Sequence, residues 1–382
     1  MKESINISVN KDVLVWAREA IVLNRTNASE KTGISPKRLI QLEEGEKQPT
    51  LDELKLFSKT YKRTIATLLL NTPPKEKPLP IDRRTIDSKD LGSFHEKTIM
   101  AIRKARALVV SLVELKQDAG ITIPSFQSKA SIQDNPAIIA KKLRKEWNLD
   151  EIRQFENINY ALDAYIEKVE SLGIAVFQLS LTQDYLRGFS MIDEIVPIIG
   201  IKRGGEPATA KIFTLLHELR HIVIRDGGLC DLSERTNQQV EKWCNSFAAE
   251  ILIPTFELLQ MNIVVEHKSK EEKVWEKKEL IELAKHFHVG PLAILRSLLE
   301  NKLTTLSFYN DRHQVWNKPL FGRAKHPEGR NVAKETIREK GRTYISLAFS
   351  AFDKNRIDLK DLSDFLGVRL SYISKTRQLL NA

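Results

Sequence analysis

The segment His217-Glu218-Leu219-Arg220-His221 sets two imidazoles four residues apart, with a carboxylate beside the first. It lies between Ile212-Phe213-Thr214-Leu215-Leu216 and Ile222-Val223-Ile224, an apolar surround free of Gly and Pro, which predicts a helix. On a helix, residues i and i+4 share a face. His217 and His221 then project side by side and can hold one Zn²⁺, and Glu218 is placed to take a proton from a water on that metal. The chemistry expected of such a trio is hydrolysis of a peptide bond. Glu218 serves as general base and returns the proton to the leaving amine.

A hydrolytic zinc site takes three protein ligands and leaves one position open. The third is expected from another element. Val240 to Leu252 also reads as helical, with Pro254 as its stop. Glu241 lies 20 residues beyond His221, enough for a loop and a returning helix. Its helical neighbours Cys244, Asn245 and Ala248 form a small face for close packing. Glu241 is the candidate ligand, with Glu250, Cys244 and Asp231 as alternatives. The remaining histidines (His95, His267, His286, His288, His313 and His326) read as surface or loop residues.

The elements that must position these groups are mostly helical. Residues 1–72 read as a bundle of short helices. Ser35-Pro36 starts the one that Gly45 ends, and Thr50 with Glu53 forms a capping box for the next. Residues 73–90 hold a stiff Pro-rich linker. Residues 91–170 form a helical connector in which Ile99, Ile102, Ala105, Leu108 and Val109 fall at helical spacing. A loop runs from about Gly120 to Pro136, and a helix over 157–172 stops at Gly173. Strands are expected at Ile174–Leu179 and Ile195–Ile201, inside a core of 171–315. Lys268–Lys278 reads as a solvated helix face, and 316–382 as a separate helical module. The fold class is α+β, mainly α.

Composition limits the setting. With 382 residues, several domains are expected. A net charge of +10 points to an acidic partner, nucleic acid first. Only two cysteines, Cys230 and Cys244, fit a reducing cytosol better than a disulfide scaffold. Neither a signal peptide nor a membrane span is expected, since no apolar run approaches about 18 residues.

These segments together resemble the ImmA/IrrE family of zinc metallo-endopeptidases, in the larger form with an N-terminal XRE-type helix-turn-helix. The likeness rests on Arg187-Gly188-Phe189-Ser190, on Phe213 to His221, and on Glu241 to Glu250 running to Pro254. The second of these helices matches the pattern E-x-x-(A/C)-N-x-F-A, which puts Glu241 where the family's third ligand is expected. The N-terminal module is carried by Trp16, Gly33-Ile34-Ser35, Leu42-Glu43-Glu44-Gly45 and Gln48-Pro49-Thr50, and the connector by Pro78 to Arg84. The resemblance implies a zincin-like core with a small sheet, a cytoplasmic bacterial or phage protein, and a protein substrate, an XRE-type repressor. The alternative class is a DNA-binding regulator or antitoxin whose zinc domain senses or docks.

In a helix-turn-helix the second helix enters the major groove, N-terminal residues first. Lys37, Arg38 and Gln41 are the expected readers of base edges in double-stranded DNA. Two features weigh against tight binding. The preceding stretch, Asn24 to Lys31, lacks the usual apolar residues, and Glu43, Glu44 and Glu46 add negative charge. A homodimer through this module is also expected. At the C-terminus, Asp358–Lys375 has helix-turn-helix rhythm, and the aspartates on its first helix favour an interaction module. Substrate in such peptidases commonly adds a strand to a sheet edge, for which 174–179 or 186–201 are candidates.

Overall fold

A computed structural model describes residues 6–77, 79–80, 95–124, 126, 131, 133–152, 157–181, 186–192, 195–224, 228–231, 239–316 and 331–381. Side chains at 150, 228–231 and 239–242 lie outside the description. The chain divides into two compact units, one of Met1–Leu79 with Ser88–Met100 and one of Pro80–Asp87 with Ala101–Ala382.

The first unit contains α1 (Lys11–Glu19), α2 (Arg25–Thr32), α3 (Pro36–Glu43), α4 (Leu51–Tyr61) and α5 (Ile65–Leu68). Asn10, Asn24, Ser35, Thr50 and Thr64 cap all five through their side chains. Gly33, at φ 73°, makes the tight turn between α2 and α3, a conformation that costs glycine little. Leu14, Ala17, Ala28, Leu39, Leu42, Leu54, Phe57 and Tyr61 form the core.

The α2 segment departs from the sequence expectation. It lacks large apolar residues, yet Ala28 is fully buried and Ser29 donates its hydroxyl to the carbonyl of Ile34 at 2.6 Å. Close packing needs only a small residue here. Nor is Glu43 a free negative charge. It is buried and accepts from Arg18 Nε at 2.6 Å and Arg25 Nε at 2.8 Å.

The long α6 (Glu96–Asp118) buries Ile99, Ile102, Ala105, Leu108 and Val109, the stripe its spacing predicts. Then follow α7 (Pro136–Trp147), α8 (Leu149–Ile152) and α9 (Ile158–Ser171), after which Gly173 turns the chain at φ 83°. The sheet is built from β1 (Ala175–Leu179), β2 (Leu186–Met191), β3 (Ile198–Lys202) and β4 (Gly228–Asp231), in the order β1-β3-β2-β4. β1 runs parallel to β3, and β2 is antiparallel to both β3 and β4.

Between β3 and β4 runs α10 (Ala208–Val223), which packs on the sheet and against α9 and α11 (Gln239–Leu252). α11 in turn lies along α7, and Arg144 Nη1 donates to the carbonyl of Ile251 at its C-terminal end. Beyond it come α12 (Thr255–Leu258), α13 (Asn262–Ser269), α14 (Lys277–His286), α15 (Pro291–Glu300) and α16 (Leu306–Trp316). The charge run 268–278 is not one helix face. It crosses the end of α13, a turn with Glu271 at φ 55°, and the buried Trp275 before α14 starts.

The chain continues with α17 (Val332–Lys340), α18 (Arg342–Asp353), α19 (Leu359–Leu366), a 3₁₀ turn (Leu370–Tyr372) and α20 (Ile373–Asn381). These helices are not detached from the core: α17 packs on β1. The Thr343 hydroxyl donates to Glu170 on α9, and Glu339 bridges Lys104 and Arg203. Gly341, at φ 84°, lies where a Cβ would stand 3.7 Å from the carbonyl oxygen of Val176 in β1. Among the described residues no helix is long and apolar enough to cross a membrane.

Candidate metal centre

Residues 208–223 fold as the helix the sequence predicts, with one face against the sheet and another against α11. His217 and His221 are fully buried, and Glu218 is 1% exposed. The two imidazoles converge: Nε2 of His221 lies 3.2 Å from Nε2 of His217. Two nitrogen ligands of a tetrahedral ion, each about 2.0–2.1 Å from it, stand about 3.3 Å apart. The pair therefore has the spacing of two ligands on one ion.

The orientation of His217 is set from α11. Its Nδ1–H donates to Oδ1 of Asn245 at 2.9 Å. A proton at Nδ1 leaves Nε2 as the lone-pair nitrogen, which is the ligating tautomer. Behind His221, Nδ1 lies 3.8 Å from Sγ of the buried Cys244. Glu241 stands one turn before Asn245 in α11, but its side chain lies outside the described residues. Among the described residues no group of three metal-ligating side chains is assembled.

The alternatives for the third ligand fall differently. Glu250 accepts from the backbone N–H of Thr255 at 3.1 Å and from its hydroxyl at 2.8 Å, so it caps α12. Cys244 sits behind the His221 ring, on Nδ1 rather than Nε2. Asp231 is in β4, its side chain outside the description. Of the other histidines, His267 departs from expectation: it is buried, stacks on Trp275 with ring centres 3.8 Å apart, and contacts Glu279 at 3.1 Å.

Two further residues shape the site, and neither was given a role by spacing alone. Gly188 in β2 is laid against α10 so closely that a Cβ there would stand 2.7 Å from Cγ2 of Thr214 and 3.1 Å from Cγ of Glu218. Arg220, between the two histidines in sequence, is fully buried, with its guanidinium carbon 3.0 Å from the centre of the Trp243 ring. Burial lowers its pKa to about 10. Trp243 Nε1 donates to the carbonyl of Asp134, and Arg220 Nη2 contacts that of Ser131, tying both helices to one loop. The signals available were Gly188 within the segment Arg187-Gly188-Phe189-Ser190, and the place of Arg220 inside the H-E-x-x-H segment itself.

The sheet also limits where a substrate strand can add. β2 and β3 are paired on both sides, which removes 186–191 and 198–201 as free edges. β1 and β4 are the two edges of the order, and α17 packs on β1.

In the first unit the expected DNA-reading residues separate. Lys37 is exposed and Gln41 half-buried on α3. Arg38 is committed elsewhere: it donates to both carboxylate oxygens of Glu53, at 2.8 and 2.9 Å, and to the carbonyl of Gln48.

These features define a two-part protein, a helix-turn-helix unit fused to a domain with a zincin-like pair of helices over a small sheet. Residues 169–299 match the family of IrrE N-terminal-like domains, a metallopeptidase family, and residues 16–68 match the helix-turn-helix family. The two matched segments are thus similar to the two domains of ImmA/IrrE proteins that carry an N-terminal XRE-type helix-turn-helix. Comparison with curated proteins gave no match.

Proposed function

We propose that the protein is a cytoplasmic zinc-dependent endopeptidase that cuts a regulatory protein, an XRE-type repressor. The observation that carries this reading is the 3.2 Å approach of the His217 and His221 Nε2 atoms beside Glu218. His217, His221 and Glu241 would hold the ion. Zinc, when bound, supplies a Lewis acid that polarises the scissile carbonyl and acidifies water. Glu218 takes the proton and passes it to the leaving amine. Asn245 holds His217 in its ligating tautomer, and the substrate strand adds along β4.

The helix-turn-helix brings the chain to DNA, with Lys37 and Gln41 on the bases and Arg38 bracing the fold through Glu53. A homodimer would use this unit's exposed Leu56, Leu69 and Leu70.

A second reading is a DNA-binding regulator or antitoxin whose zinc domain senses or docks. The near-complete burial of His217, Glu218 and His221 favours it, since a cutting site must open to substrate. Glu218→Gln separates the two. A peptidase keeps its zinc and loses cleavage of a co-expressed repressor. Undiminished cleavage by the variant would rule out the mechanism.

A further inference from the structure

The C-terminal helices repeat the N-terminal helix-turn-helix at one constant offset from cap through turn, although the second helix opens in the 3₁₀ turn Leu370–Tyr372 where α3 is α-helical from Pro36. α2 and α19 are each 8 residues long. Each is capped by the side chain just before it, Asn24 or Asp358, and each cap stands five residues beyond the end of the preceding helix, at Glu19 or Asp353. Each helix ends in a left-handed glycine, Gly33 at φ 73° and Gly367 at φ 64°.

The turn is closed by the same bond. Ser29 donates its hydroxyl to the carbonyl of Ile34 at 2.6 Å, and Ser363 donates to that of Val368 at 2.6 Å. Ile34 and Val368 are both 7% exposed. The next residue is extended in both, Ser35 at φ −58°, ψ 146° and Arg369 at φ −66°, ψ 152°. Buried positions then keep step: Leu39 with Ile373, and Leu42 with Thr376. At this register Ser371 falls where Lys37 stands and Lys375 where Gln41 stands, the positions that face the groove in such a motif.

Charge selects the partner. From Gly367 to the end of the chain there are Arg369, Lys375 and Arg377 and no acidic residue. Arg369, Ser371, Ser374, Lys375 and Gln378 are exposed. The aspartates sit on the first helix rather than the second: Asp361 N–H donates to Asp358 at 2.7 Å and Asp358 N–H to Asp361 at 3.1 Å, a capping box, and Asp364 is exposed. Exposed Lys354, Arg356 and Lys360 surround them. A polar, cationic second helix in a helix-turn-helix fits a polyanion with a groove.

We propose that residues 358–381 form a second duplex-DNA-binding helix-turn-helix, with Arg369 and Lys375 on the phosphate backbone or base edges. It is distinct from the N-terminal unit and goes beyond the peptidase reading.

The test uses the full chain carrying K37E and Q41E, which silences the N-terminal helix, and a labelled DNA duplex of mixed sequence. Adding R369E and K375E should weaken binding at least tenfold. It should also flatten the slope of log affinity against log salt by roughly 2, at about 0.9 per lost phosphate contact. K268E with K270E, the same charge change at exposed positions on α13 and its C-cap, should lower the slope far less. R369Q with K375Q serves if the charge reversal fails to fold. The proposal is overturned if the K37E/Q41E chain does not bind duplex, or if the 369/375 pair matches the control. It is equally overturned if that pair changes only the mass of the particle in light scattering, which would mark a protein-contact surface.

Discussion

Asn245 Oδ1 accepts a hydrogen bond of 2.9 Å from Nδ1 of His217, across the packed helices α10 and α11. The bond makes one helix the orienting frame of the other's histidine face. Outer partners of this kind typically tune metal affinity by about 10–100-fold. Asn245→Ala should weaken zinc retention by that factor, read by chelator competition, while far-ultraviolet dichroism stays unchanged. Asn245→Asp, which keeps an acceptor at this place, should retain most of the affinity. An alanine variant that holds zinc as tightly as wild type would deny Asn245 this role.

Gly188 lies close between sheet and α10: a Cβ there would stand 2.7 Å from Thr214 Cγ2, 3.1 Å from Glu218 Cγ and 3.1 Å from the Gly200 carbonyl oxygen. Gly188→Ala cannot be absorbed by a flexible side-chain tip alone. Overpacking of this kind costs about 1–3 kcal/mol. Thermal unfolding should show that loss, with peptidase activity falling further as Glu218 is displaced. Unchanged stability would mean that β2 and α10 stand further apart.

Glu170 gives a pH signature. Burial raises its pKa from 4.5 to about 7, against the opposing effect of the bond from Thr343. A carboxyl whose folded pKa is raised binds more protons folded than unfolded, so its contribution falls as pH rises from about 4.5 to about 7. The full effect is no more than about 3 kcal/mol. Glu170→Gln should remove this dependence and stabilise the protein above pH 7, in urea titrations across that range. A variant whose stability tracks wild type at every pH would contradict the assignment.

The bidentate pair of Arg38 with Glu53 separates two neighbouring cations by role. Lys37→Ala should weaken DNA binding with little change in stability. Arg38→Ala should cost up to about 1 kcal/mol of stability and affect DNA less. The reverse pattern, measured by fluorescence anisotropy and thermal unfolding, would return Arg38 to the DNA face.

The sequence made the helix at 212–223 legible because periodicity, lack of breakers and the H-E-x-x-H spacing all agree. The capping box of Thr50 with Glu53 and the glycine stops of the first unit were legible for the same reason: each is a local signal. What spacing could not supply was tertiary. Arg38 reads as a groove residue until Glu53 is folded beside it, and Glu43 as a repelling charge until Arg18 and Arg25 enclose it. His267 looks like a surface histidine in a charge run until Trp275 stacks on it. β2 and β4 were missed because Leu186–Met191 contains Arg187 and Gly188, and Gly228–Asp231 is only four residues long.

The central claim is that α10 and α11 hold one metal ion. Elemental analysis of the purified chain beside its His217→Ala and Glu241→Ala variants tests it most directly. The account predicts about one zinc per wild-type chain and its loss in both variants, with Glu250→Ala retaining it. A wild-type chain that carries no zinc and takes none up on addition would contradict it.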